Sequence, residues 1–88
     1  MIKIEITEYY KSNALMPTMG GMFIITESEY IIKGVIFTVA RYEISKTLVS
    51  KISFLFRKGI RLNDGEKEID VYFLSKTAER LYQLLRLK

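Results

Sequence analysis

The sequence predicts a mainly β domain of the α+β class, with six or seven antiparallel strands closed by one C-terminal helix. Three observations lead there. Apolar and polar residues alternate with period two along most of the chain up to Leu74. Turn-forming residues punctuate that alternation at short intervals. After Leu74 the period changes to that of a helix.

The elements follow in order. Ile2, Ile4 and Ile6 alternate with Lys3, Glu5 and Thr7, a first strand with one apolar side. Residues 11–21 hold the only proline and the Gly20-Gly21 pair and read in part as a loop. Met22 to Thr26 and Tyr30 to Lys33 flank Glu27-Ser28-Glu29, a hairpin pattern. Val35 to Val39 reads as a continuation of the second strand past a bend at Gly34, where glycine suggests a bulge. Arg41 to Ser45 alternates again. Leu48 to Phe56 is a further strand with Ile52, Phe54 and Phe56 on one face, and the two phenylalanines are expected in the core.

Arg57-Lys58-Gly59 is expected to turn the chain. Ile60-Arg61-Leu62 then leads to Asn63-Asp64-Gly65-Glu66, where Asp-Gly between alternating runs signals a tight hairpin. Ile69, Val71 and Phe73 share one face of the last strand. Ser75 is placed to cap a helix over 75–88. Ala78, Leu81, Tyr82 and Leu85 form its apolar stripe, and Arg86 and Lys88 stand in its last turn, where the helix dipole favours cations. A helix of about 14 residues is marginal alone in water, so it must dock on the sheet.

Eighty-eight residues suit one domain, 1–88, with 1–20 a strand and loop. A chain this short buries roughly 60–65% of its unfolded surface, so its stability depends on the 49% hydrophobic content. With no cysteine there is no disulfide or thiolate metal site. The N-terminal alternation lacks the unbroken apolar stretch of a signal peptide, and the longest apolar run, Val35 to Ala40, is too short to span a bilayer. The expected location is the cytoplasm, with peripheral membrane attachment as the alternative. Fourteen basic against ten acidic residues give +4, with acids spread throughout, which permits an anionic partner without requiring one.

Strands followed by one terminal helix is also the element order of the pleckstrin-homology superfamily, and particular segments extend the likeness. Gly21 to Ile32 resembles the opening of GRAM-like domains: a glycine, alternating hydrophobic positions and a threonine. Tyr42 to Lys46 ahead of Val49 to Ile52 resembles their next strand, and Ile60 to Gly65 with Ile69 to Phe73 resembles their penultimate hairpin. The resemblance covers residues 21–88. It implies a bent antiparallel barrel plugged by the helix, and a binding module for phosphoinositides, peptides or proteins. Fold analogy alone does not choose among these.

No histidine and no cysteine means that the usual general base and the thiol nucleophile are missing, so the chain reads as a binding module and not an enzyme, with no cofactor implied. Glu66, Glu68 and Asp70 alternate along one strand face and read as a solvated face sooner than as a hard-cation site. Arg57, Lys58 and Arg61 beside Gly59 form the sharpest candidate for an anion or partner site. Lipid-binding members of the superfamily use a basic first hairpin loop, whereas here that loop is Glu27-Ser28-Glu29. Tyr72, opposite Val71 and Phe73, is the candidate surface aromatic. The expected partner is a protein or a second copy of the chain. Anionic lipid at the basic turn is the alternative, and single-stranded nucleic acid a more distant third.

Overall fold

A computed structural model describes residues 1–87; Lys88, which the expected helix included, lies outside the described residues. The strands are β1 (Ile2–Glu5), β2 (Glu8–Lys11), β3 (Thr18–Met19), β4 (Met22–Ile25), β5 (Glu29–Lys33), β6 (Thr38–Glu43), β7 (Leu48–Phe54), β8 (Arg57–Asn63) and β9 (Glu68–Phe73). A 3-10 turn, Ile44–Lys46, joins β6 to β7, and one helix, α1 (Ser75–Leu84), follows β9. They form two antiparallel sheets, ordered β1-β4-β5-β6 and β3-β2-β9-β8-β7.

The class is therefore mainly β with one C-terminal helix, but the expected barrel of six or seven strands is corrected, among the described residues, to nine strands in two open sheets. The extra strands come from a corner. The first strand breaks at Ile6-Thr7: the Ile6 N–H donates to Gly21 O (3.0 Å), while the Thr7 N–H donates to Tyr72 O (3.0 Å) in the other sheet. Its partner breaks opposite, at Gly20-Gly21, with φ of 79° and 127°. Glycine is required there, since a Cβ on Gly21 would stand 2.5 Å from Lys33 O. Closure fails on the far side, where the 3-10 turn carries the chain from β6 to β7 and those strands do not pair.

Between the sheets lies a core built by alternation. Phe23 and Ile32 meet Ile60, Leu62, Ile69, Val71 and Phe73, all at 3% exposure or less. Phe23 stacks on Tyr30 and meets Phe73 edge-on, with centroids 5.8 and 5.9 Å apart. α1 packs on β8 and β9 through Ala78, Leu81 and Tyr82, the stripe expected from its spacing. The Tyr82 hydroxyl donates to Gly59 O (2.8 Å), so its polar tip costs nothing to bury.

Several local expectations change. Val35, Ile36 and Phe37 do not extend a strand; they are the exposed tip of the β5–β6 turn, closed by Gly34 N–H to Phe37 O (2.8 Å). Arg57-Lys58-Gly59 is not a turn but the start of β8, and the turn is Leu55-Phe56. Register decides this, because pairing Leu48 with Asn63 through Phe54 with Arg57 puts Val49, Ile60 and Leu62 on the core side. Phe54 and Phe56 are then excluded from the core and exposed. Ser75 is the first helical residue and makes no capping bond, since β9 leads straight into α1 and Leu74 takes the cap position. Arg86 stands past the helix at φ 56°, where Leu87 N–H donates to Tyr82 O (2.8 Å) and closes the C-terminus.

Candidate interaction surface

The outer face of the five-stranded sheet carries the most distinctive surface. Cross-strand register places Glu8, Tyr72, Gly59 and Ile52 in one row there, with Tyr10, Asp70 and Arg61 in the row on one side and the Arg57–Phe54 pair on the other. Residues 11–15 bound the same face. The result is a cleft of about 660 Å³ lined by Tyr10, Tyr72, Ile52, Phe54, Arg61 and Asp70, among others. Gly59 lies between Tyr72 and Ile52 in the register of the same face and has no side chain. A Cβ there would lie 2.0 Å from Val71 O and 3.0 Å from Tyr72 Cα, so the close approach of β8 and β9 requires glycine.

Arg57, Arg61 and Tyr72 share this face; Lys58, one residue out of phase on β8, points the other way. None of the three cations stands alone. Arg61 forks onto Asp70 at 2.7 and 2.9 Å, with Glu68 3.2 Å from Nε. Arg57 binds Glu8, a carboxylate with 5% exposure. Lys58 binds Glu79 on α1. The hydrogen bond and charge of Asp70 raise the Arg61 pKa, and that of Glu79 raises Lys58 while Lys58 lowers Glu79. A free phosphate would have to displace a carboxylate at each cation. Tyr72 lies on the expected face but is only 6% exposed, edge-on to Tyr10 at 5.9 Å, and burial raises its pKa.

At one end of the cleft the β7–β8 hairpin projects Phe54, Leu55 and Phe56, with 54%, 67% and 101% exposure. Leu55 and Phe56 have φ of 48° and 69°, the left-handed conformation that a two-residue hairpin turn demands and that asparagine and glycine adopt most cheaply. Large apolar residues occupy these positions at a cost of about 1–2 kcal/mol each. Glu8, Tyr10 and this tip escape a reading of the sequence. Gly59 draws the turn toward itself, and only the equal lengths of β7 and β8 around Leu55-Phe56 signal the true turn. Among the described residues, no cluster of three or more acids, histidines or cysteines is placed to hold a metal ion, and no helix is long and apolar enough to cross a membrane.

No family model matches this chain, and no curated protein or solved structure matches it.

Proposed function

We propose that this chain is a non-catalytic interaction module, of the pleckstrin-homology-like and GRAM-like kind, that binds another polypeptide through its apolar hairpin tip. The kinship is supported by the two strands broken at the corner: counted across it, seven antiparallel runs precede one docked helix. The binding reading rests on Leu55 and Phe56, exposed and backbone-strained where polar turn residues would be cheaper. Strain and solvent exposure together cost stability, and contact with a partner offsets the exposure. The neighbouring cleft, with its aromatic wall, adds area beside the tip.

A photoreactive phenylalanine at position 56 tests this in the intact protein. Adducts with a polypeptide, competed away by excess unlabelled protein but not by L55N/F56G, are expected. Their absence removes the reading. The same tip with Arg57 and Lys58 at its base also suits a bilayer surface, the second reading. Sedimentation with vesicles, lost in L55N/F56G and stronger with anionic lipid, would favour it over a protein partner.

A further inference from the structure

The four-stranded sheet ends at β1, and among the described residues no strand pairs with its outer edge. Ile6 N–H bonds to Gly21 O across the β1–β4 ladder. Backbone bonding alternates along an antiparallel strand, so Ile2, Ile4 and Ile6 direct their groups to β4, while Lys3 and Glu5 direct theirs to the open edge. Beside that edge runs a groove of about 470 Å³, lined on the helix side by Thr77, Arg80, Leu81 and Leu84. Ile2 and Leu84 flank it, 40% and 49% exposed.

We propose that a second copy of this chain fills the groove by pairing its own β1 antiparallel to the first, about a two-fold axis at Ile4. The register follows from two constraints. Only residues whose backbone groups face the edge can bond, so Lys3 and Glu5 of one copy must meet Lys3 or Glu5 of the other. Centring on Lys3 or on Glu5 opposes like charges. Centring on Ile4 sets Lys3 opposite Glu5 twice by symmetry, with four backbone hydrogen bonds and two cross-strand ion pairs. Ile4 then faces Ile4, and the isoleucine side of the incoming strand meets Leu81 and Leu84 in the groove. The two sheets become one of eight strands, and an edge that would invite aggregation is closed. This rests on the interaction-module reading only in taking the chain for a binding protein, since it uses a different surface from the tip.

Light scattering across a concentration series, with the full chain, tests it. The wild type is expected to pass from monomer to dimer. Lys3→Glu and Glu5→Lys, both exposed changes, each place like charges opposite and should weaken the dimer about tenfold. Mixing the two variants in equal amounts should restore dimer, because each then meets its opposite. Ile4→Cys, in a chain without other cysteine, should form a symmetric disulfide on mild oxidation. A wild type monomeric at every concentration overturns the pairing and leaves the edge to an extended segment of another protein. A dimer indifferent to both charge changes also overturns it. If that dimer is instead broken by L55N/F56G, the tip reading stands while the edge pairing falls.

Discussion

Gly59→Ala places one methyl group where the structure has no room. The added Cβ would lie 2.0 Å from Val71 O, 2.9 Å from Val71 C and 3.0 Å from Tyr72 Cα, and all three are backbone atoms of the neighbouring strand. No side chain can swing aside, so β8 must move away from β9. Overpacking of this kind costs about 1–3 kcal/mol. Displacing β8 also draws Gly59 O from the Tyr82 hydroxyl at 2.8 Å, a buried bond worth about 1 kcal/mol. The expected loss is about 2–4 kcal/mol, against the ~4–13 kcal/mol typical of a domain this long. Urea unfolding followed by tyrosine fluorescence measures it, with each kcal/mol lowering Tm by about 4–8 °C. Gly65→Ala is the control. Gly65 sits at φ 92° with nothing within 4 Å of the place its methyl group would take, so only backbone strain of about 1–2 kcal/mol applies. A Gly59→Ala protein within about 0.5 kcal/mol of wild type, or one no worse than Gly65→Ala, would refute the close-approach argument.

Other consequences are equally direct. L55N/F56G should raise stability by about 1–2 kcal/mol in urea unfolding, since it relieves most of the left-handed strain at two positions and gives part of it back through the unfolded-state entropy of glycine, while abolishing the tip adducts. Tyr82→Phe removes the bonds to Gly59 O and Ile52 O and should cost about 1–2 kcal/mol in the same assay, with helix content by circular dichroism retained. Burial, with the charges of Asp64, Glu68 and Asp70 adding to it, pushes the Tyr42 hydroxyl from 10 up to about 12. Its proton is kept in the folded chain and lost from the unfolded one between those values, so stability should be full below pH 10 and fall toward pH 12. The fall is about 2 kcal/mol from this residue, and Tyr42→Phe should flatten that slope in pH-dependent unfolding.

Much of the fold was legible locally. Asp64-Gly65 announced its hairpin because Gly65 adopts the positive φ that the turn needs, and the Asp64 carboxylate accepts the Glu66 and Lys67 N–H groups, which lowers its pKa. Ile69, Val71 and Phe73 faced the core because period two survives wherever one face is buried. The Leu55-Phe56 turn was illegible for the opposite reason. Nothing about those residues favours a turn, and only the pairing of β7 with β8 and of β8 with β9 fixes where the chain reverses. The candidate surface shows the same division. Arg57, Arg61 and Tyr72 could be named from sequence, but Glu8, forty-nine positions from Arg57, becomes its partner only when β2 pairs with β9.

Alternation, turn residues and the final helical stripe by themselves determined a mainly β chain, the core side of β9, and the helix that covers it. These are properties of neighbours along the chain. Tertiary structure alone decided that Ile6-Thr7 and Gly20-Gly21 form a corner and that Arg57, Lys58 and Arg61 each meet a carboxylate. It also decided that Phe56 is exposed and that, among the described residues, no strand pairs with the outer edge of β1. Each of those outcomes depends on distance between residues far apart in sequence, and periodicity carries no information about that distance.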